Sequence, residues 1–290
     1  MKELRDKVAV VTGAASGIGR ALAGAFAAEG MKIVLADVEA GALDDAAQAV
    51  AKTAPAVIAV PTDVSKAADV EALAAAAERA FGGVQLVCNN AGVALTGEAW
   101  ENSLADWEWV LGVNLWGVIH GIRTFVPRLL AAKAEAHVVN TGSIAGLLSG
   151  PGMAVYGASK HGVVTISESL YYELQMLRAP IGVSVLCPAA VATRIMDAAR
   201  NRPAGLTDTA LAPGDDAARR DAAKASLAAG MAPDRVAACV VDAIRANRFW
   251  VLSHPEWREY VRVRLDDVLH DRNPSPEAIA GLVNPGTPSS

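Results

Sequence analysis

Tyr156 and Lys160 stand four residues apart in Tyr156-Gly157-Ala158-Ser159-Lys160, at the start of a segment that reads as helical to about Leu177. On a helix that spacing puts two side chains on one face, one turn apart. A phenol with an ordinary pKa of about 10 is a poor base at neutral pH, but a neighbouring ammonium favours the phenolate. The pair is therefore fitted to pass a proton to or from a reacting oxygen. Ser143, just past the apolar run His137–Asn140, offers a hydroxyl to hold that oxygen beside Tyr156. Singly, a Tyr–Lys pair is ordinary surface chemistry and Ser143 an ordinary turn residue, so the reading rests on their combination. A second constellation lies near the start of the chain. The apolar run Val8–Val11 leads into Thr12-Gly13-Ala14-Ala15-Ser16-Gly17-Ile18-Gly19, followed by a helical stretch ending at Gly30. Glycines there let the backbone turn sharply and bring N–H groups close to a pyrophosphate, toward which the helix points its positive end. A P-loop would need Lys and then Ser or Thr after the last glycine, and Arg20 and Ala21 stand there instead. Asp37, 18 residues beyond Gly19, ends the run Ile33–Ala36, near where an acid accepts hydrogen bonds from an adenosine ribose. It would repel a 2′-phosphate, and Val38 offers no arginine to relieve the repulsion. Together the two constellations predict a site that binds NAD beside a group able to move a proton on a substrate oxygen, the cationic oxidised ring adding its own pull on the Tyr156 proton.

These groups need a scaffold that brings strand ends together. Short apolar runs recur at Val8–Val11, Ile33–Ala36, Val57–Val60, Leu86–Cys88, His137–Asn140 and Val183–Leu186, each separated by a segment long enough for a helix. That alternation predicts an α/β fold of the Rossmann type, a doubly wound parallel sheet with helices on both faces. A seventh strand over Phe249–Leu252 follows a helix from about Pro233 to Asn247, with proline at its permitted first turn. We expect a single catalytic domain over residues 1–254. Residues 194–232, rich in Ala, Asp and Pro, break the rhythm and are expected to form a substrate lid. Residues 255–290 are expected to be a C-terminal helical extension and a frayed tail. Its helical face would carry Trp257, Tyr260, Val261, Leu265, Val268 and Leu269, and its tail Pro274, Pro276, Pro285 and Pro288.

Composition excludes several other functions. A formal net charge of -5, with no cluster of Lys and Arg, argues against nucleic acid. No apolar stretch is long enough to span a membrane, and the charged Met1–Lys7 leads straight into a strand, unlike a signal peptide. The expected location is cytoplasmic. Cys88, Cys187 and Cys239 lie far apart without metal or disulfide spacing and are expected to be small buried hydrophobes. His120, His137, His254 and His270 are scattered, so no metal is expected. His161 follows Lys160 but points about 100° away, which suits a structural or interfacial role. Trp100, Trp107, Trp109 and Trp116 favour helix packing or a subunit contact over substrate stacking.

The ordered motifs across about residues 5–195 resemble the short-chain dehydrogenase/reductase family, in its subgroup with TGxxxGxG and YxxxK. They are Thr12–Gly19, Asp63-Val64, Asn89-Asn90-Ala91-Gly92, Asn114 within Val113-Asn114-Leu115-Trp116-Gly117, Ser143, and Tyr156 with Lys160. The resemblance implies hydride transfer between nicotinamide and an alcohol or ketone, with Tyr156 as the general acid/base and Ser143 orienting the substrate oxygen. It implies that Lys160 binds the nicotinamide ribose and that Asn114 supports a water-linked proton relay. It places Gly13, Ser16, Gly17, Ile18 and Gly19 at the pyrophosphate, Asp37 at the ribose, Asp63 and Val64 at adenine, Asn90 beside the cofactor backbone, and Val191 and Thr193 at the nicotinamide. It also implies a homo-oligomer, a tetramer or else a dimer, built through the helices carrying Asn114 and Tyr156. The small residues Gly157–Gly162 would let helices approach closely. One position departs from the pattern: Pro188-Ala189 replaces the family's Pro-Gly, and alanine would be strained there if the backbone needed a positive φ.

Ala94-Leu95, Leu147-Leu148, Met153 and Ile195-Met196 are expected to border the nicotinamide, and Leu206, Leu211 and Leu227 to close the lid. An apolar border predicts a bulky, uncharged secondary alcohol or ketone, unless Arg194 or Arg202 turns inward to hold an anion. The rival class is a non-catalytic NAD(H) sensor on the same fold, which would tolerate loss of Ser143, Tyr156 or Lys160. An epimerase or dehydratase would be expected to carry TGxxGxxG at the turn instead.

Overall fold

A computed structural model describes residues 1–206, 221 and 224–280. Seven parallel strands form one sheet: β1 (Val8–Thr12), β2 (Lys32–Asp37), β3 (Val57–Pro61), β4 (Leu86–Asn89), β5 (Ala136–Thr141), β6 (Ile181–Leu186) and β7 (Trp250–Val251). Their spatial order is β3-β2-β1-β4-β5-β6-β7, so the chain reverses direction across the sheet between β1 and β4. A crevice opens there at the carboxyl ends of the strands, where open α/β sheets bind ligands. Every expected strand is present, although β7 pairs over only two residues.

Strand periodicity explains the unbroken apolar runs. Ala9, Val11, Ile33, Leu35, Leu86 and Cys88 face one layer, packing against α1 (Gly17–Ala28), α2 (Ala40–Val50) and the helix Pro233–Arg245. Val8, Val10, Val34, Ala36, Val87 and Val138 face the other layer, formed by α3 (Ala67–Phe81), α5 (Gly117–Ala132) and α6 (Ala154–Met176). Both faces are covered, so the strands are mostly apolar and the few polar side chains they bury, such as Asn89, Asn140 and Ser184, are hydrogen-bonded. The α4 helix (Leu104–Leu111) starts with a capping box in which Ser103 and Asp106 satisfy each other's backbone N–H groups. It runs through a π-turn over Gly112–Trp116 into α5. The helix Pro233–Arg245, α7 here, buries Val236, Ala237, Val240, Val241 and Ile244 on one face.

The segment expected to form a lid is organised at residues 194–206 and 224–232. Ile195–Asn201 and Ala204–Leu206 form 3₁₀ turns, and Leu227 lines the cleft described below, while Leu211 lies outside the described residues. Two ion pairs fasten the segment to the body. The Arg202 guanidinium meets the fully buried Asp106 carboxylate at 2.5 Å and lies over the Trp109 ring. Arg200 and Asn201 both donate to Glu39 at the end of β2.

The C-terminal region holds the expected helix, α8 (Arg258–Leu269), with Trp257, Tyr260 and Val261 half-buried and Leu265, Val268 and Leu269 exposed. The stretch with Pro274 and Pro276 is tied down rather than frayed, because Asp267 accepts from the Ser275 backbone and hydroxyl and Ala278 is buried. Pro285 and Pro288 lie outside the described residues.

Candidate active site

The glycine turn sits between β1 and α1, and its shape depends on missing side chains. Gly13 has φ 66°, and a Cβ on Gly19 would lie 2.1 Å from the Gly13 carbonyl oxygen. No acidic residue occupies the first turn of α1, so the helix itself sets no negative charge against its own N–H groups. Asp37 braces the turn from β2: its carboxylate accepts from Ala15 N–H and Glu39 N–H, both at 3.0 Å, with lone pairs left for a ribose. Thr12 Oγ1 accepts from the backbones of Asn90 and Ala91, while Asn90 Nδ2 donates to the Thr12 carbonyl. Asn90 thus joins β1 to β4 and also reaches Thr141 on β5.

Tyr156 and Lys160 lie in the first turns of α6, as the spacing predicts, and Ser143 follows β5. Ser143 Oγ accepts from Ala145 N–H at 3.1 Å and caps the short turn Ile144–Gly146. Lys160 is buried and donates to the Thr141 carbonyl at 2.8 Å, with its ammonium 5.8 Å from the centre of the Tyr156 ring. Burial brings the Lys160 ammonium down from 10.5 to about 8. It pushes the Tyr156 phenol up, against a hydrogen bond with Ser143 that acts the other way. The expectation of a lowered Tyr156 pKa counted the cationic oxidised ring as well as the ammonium; in the protein alone burial is the leading cause and the shift is upward. Asn114, wholly buried in the π-turn, accepts from Val93 N–H and donates to the Val93 carbonyl and Ser159 Oγ.

A cleft of about 540 Å³ collects these residues, a volume within the range of small-molecule sites. Gly13, Ser16, Gly17, Ile18, Gly19, Asp37, Asp63, Val64, Asn90, Ser143, Tyr156, Lys160, Val191 and Thr193 all line it. Asn114 does not line it and stands behind. Asp63 is engaged by its own loop, accepting from Ser65 N–H and Oγ and pairing with Lys66. The pyrophosphate turn, the acid at the end of β2 and the Tyr–Lys pair lie along one cleft, in an order that fits a dinucleotide, NAD(H), with its reactive end at Tyr156.

Some expected lining is corrected. Ile195 borders the cleft, but Leu148 is fully buried and Met196 faces a separate hollow beside α1. The apolar wall comes instead from Val93, Trp109, Val113, Ala198, Leu206 and Leu227. Of the two suspect arginines, Arg202 is committed to Asp106, whereas Arg194 lines the cleft. Ala189 is absent from the residues with positive φ, so alanine sits there without strain and the local backbone needs no glycine. Gly162 faces Leu115 of the same chain, where a Cβ would come within 2.9 Å, so this small residue serves internal packing rather than a partner helix. His161 Nδ1 meets the Gly157 carbonyl at 3.0 Å. The sequence reading missed Glu39, Arg200 and His254, which are joined to the site by contacts across long stretches of chain: Arg200 to Glu39, and His254 to Ala189 and Ala190.

Cys88 and Cys187 are buried and free, and burial raises the Cys187 thiol to about 12, which leaves it unreactive. Among the described residues no three His, Cys, Asp or Glu side chains cluster to hold a metal, and no helix is long and apolar enough to cross a membrane.

Comparison with known proteins agrees with this geometry. The family model for short chain dehydrogenase matches residues 7–204. The CLA biosynthesis dehydrogenase/reductase of Lactiplantibacillus plantarum is 34% identical over 98% of this chain and its own full length. The 1-deoxy-11-beta-hydroxypentalenate dehydrogenase of Streptomyces exfoliatus is 36% identical over 94% of each chain. The crystal structure of a short-chain dehydrogenase/reductase from Burkholderia phymatum in complex with NAD superposes with a TM-score of 0.93 at 47% identity, covering 95% of this chain and 98% of that one. On motif, fold and cleft alike, the chain belongs to the short-chain dehydrogenase/reductase family of oxidoreductases.

Proposed function

We propose that the protein is an NAD-dependent alcohol dehydrogenase or ketone reductase acting on a bulky, uncharged secondary alcohol or its ketone. The observation that carries this reading is the apolar wall of Val93, Trp109, Val113, Ile195, Ala198 and Leu206 in the same cleft as Ser143 and Tyr156. Burying a charged substrate against that wall without a partner would cost several kcal/mol, roughly 2–7 even for a neutral polar group, whereas apolar contact contributes about 25 cal/mol per Å².

The bound cofactor supplies or accepts the hydride. Ser143 holds the substrate oxygen, and Tyr156 gives that oxygen a proton in reduction and takes it back in oxidation. Lys160 stabilises the phenolate and holds the ribose. Asn114, bonded to Val93 and Ser159, keeps the π-turn in place behind the lysine. Gly13, Ser16, Gly17, Ile18 and Gly19 hold the pyrophosphate, Asp63 and Val64 the adenine, and Val191 and Thr193 the nicotinamide. Asp37 selects NAD over NADP through its negative charge, by tenfold or more, on the order of 1.4 kcal/mol. A cytoplasmic location and a single catalytic domain with its lid at 194–232 belong to the same reading.

Arg194 favours a second reading, in which the cleft takes a carboxylate. A panel of neutral alicyclic and aromatic secondary alcohols, short hydroxy acids and polyols, each assayed with NAD and with NADP by NADH or NADPH absorbance, separates them. The neutral alcohols with NAD are expected to lead by tenfold or more in kcat/KM. A lead for the acids points to Arg194, equal use of both cofactors refutes the role of Asp37, and NADH binding with no turnover across the panel returns the non-catalytic sensor.

A further inference from the structure

The wall of the cleft from Pro188 to Thr193 is held from three directions. From β5, Ile144 N–H donates to the Pro188 carbonyl at 2.9 Å, and Ser143 Oγ approaches the same oxygen at 3.5 Å. From the end of the lid, Met231 N–H donates to the Ala190 carbonyl, and Ala192 N–H donates to the Met231 carbonyl, both at 2.9 Å. Gly230 permits that approach, since a Cβ there would lie 2.5 Å from the Ala190 oxygen. From beyond β7 comes His254. Its Nδ1 accepts from Ala189 N–H at 3.2 Å, and its Nε2 lies 3.0 Å from the Ala190 carbonyl.

Those two partners determine the tautomer. A carbonyl oxygen can only accept, so Nε2 carries the proton, and Nδ1 must then be bare to receive the Ala189 N–H. The ring is 8% exposed, and burial holds it below its ordinary pKa, against Glu256 and the Ala190 carbonyl, which raise it. A neutral imidazole is the form these bonds require. Ser253 Oγ lies 2.9 Å from the same Nδ1 and reinforces it. His254 itself does not line the cleft, whereas Pro188, Ala189, Val191 and Thr193 do. The histidine is therefore placed to act on a ligand only through the backbone it grips.

We propose that His254 is a positioning residue for the nicotinamide: its bare Nδ1 and protonated Nε2 clamp the peptide units of Ala189 and Ala190, and so set the wall against which the ring lies. The proposal rests on the reading that this cleft holds NAD(H) with its nicotinamide along Pro188–Thr193. It also accounts for alanine at 189, since an N–H fixed by an imidazole holds the turn in a conformation open to any residue. A clamp on one end of the cofactor has a specific signature. Binding of the nicotinamide half should suffer, while binding of the adenosine and pyrophosphate half, held by Asp37 and the glycine turn, should not.

Two ligands separate these halves: NADH, and ADP-ribose, which lacks the nicotinamide. Both are titrated calorimetrically into wild type, His254→Ala and His254→Asn, and the emission of bound NADH is recorded for each. We expect His254→Ala to lose fivefold or more in affinity for NADH, to hold ADP-ribose within twofold of wild type, and to shift the NADH emission. The amide oxygen of His254→Asn can stand where Nδ1 stands and still accept from Ala189 N–H, so this variant should recover most of the loss. Should His254→Ala fail to fold, His254→Gln replaces it, keeping a donor toward Ala190 but losing the acceptor for Ala189; the same outcomes apply. Parallel weakening of both ligands would show a general structural role and overturn the proposal, as would unchanged NADH affinity. Wild type that binds ADP-ribose and NADH with tight affinity but responds to no His254 change fails the clamp alone, whereas wild type that binds neither fails the NAD(H) reading and the clamp with it.

Discussion

At the scale of single residues, the protein keeps its proton carriers in environments that work against their charge. Burial raises the Tyr156 phenol and lowers the Lys160 ammonium to about 8. The phenol therefore stays protonated until something in the loaded cleft pays back the desolvation, which ties proton transfer to an occupied site. Tyr156→Phe should leave NADH affinity within threefold and reduce kcat at least a hundredfold, within the ordinary range for losing a general acid/base. Turnover within threefold of wild type would dismiss Tyr156 from the role. The lysine sets the pH limit. Its ammonium is present below pH about 8 and is lost as pH rises through that value, so kcat/KM for ketone reduction should be level below it and fall above it. Lys160→Arg keeps its charge to pH 12 and beyond, so whatever activity remains should show no such fall. A wild-type profile still level at pH 10 would contradict a lowered lysine pKa.

At the scale of elements, the sheet contains one polar fault that is carried by shape rather than by pairing. His137 on β5 lies wholly buried, with Nε2 2.8 Å from Ser184 Oγ on β6 and Nδ1 without a hydrogen-bond partner among the described residues. Gly182 makes room for it, because a Cβ there would lie 2.4 Å from that Nδ1. Burial, and to a lesser degree the N-terminal amine, bring the imidazole from 6.5 down to about 3. The folded state therefore holds this histidine neutral, while the unfolded chain takes up a proton below pH 6.5. Its contribution to stability is complete above pH 6.5 and is lost as pH falls toward 3. Denaturant unfolding of wild type and His137→Asn between pH 7 and pH 4 measures this directly. The variant should lose less stability over that window, by about 1.4 kcal/mol or more, the equivalent of one pKa unit. Parallel pH curves would mean that His137 is protonated in the fold.

At the scale of the whole molecule, the exposed apolar surface raises the question of assembly. Trp116 beside α5 is exposed over nearly half of its area, and Tyr172, Met176 and Leu177 at the end of α6 over more than half. We infer that these helices meet their copies in a homotetramer. The contact would use these large side chains rather than the small residues after Tyr156, since Gly162 is already packed against Leu115. Light scattering after gel filtration should give four times the chain mass of 29.9 kDa, and Met176→Glu with Tyr172→Glu should lower it to a dimer or monomer. A wild-type monomer at micromolar concentration would refute the assembly.

The chemistry was legible in the sequence wherever it depended on neighbours along the chain. A spacing of four residues from Tyr156 to Lys160 is about one helical turn, and the glycines of Thr12–Gly19 lie between a strand and a helix, so spacing alone aligns them. The seven strands were legible for a similar reason: a sheet covered on both faces requires unbroken apolar runs such as Val8–Val11, a pattern no surface strand would keep. Chain-distant decisions were not legible. Leu148 and Ile195 are equally apolar on paper, yet one is fully buried and the other lines the cleft, because which of them is enclosed depends on how the chain folds around each. Arg202 was a plausible anion holder until the fold set the buried Asp106 against it, 96 residues away. His254 carried no motif at all. Its two bonds to Ala189 and Ala190 exist only because β7 is laid beside β6, so that residues 64 and 65 positions apart in the chain come within hydrogen-bonding distance. Local geometry follows from sequence spacing, but the pairing of distant polar groups depends on which strands become neighbours, and that only the tertiary structure decides.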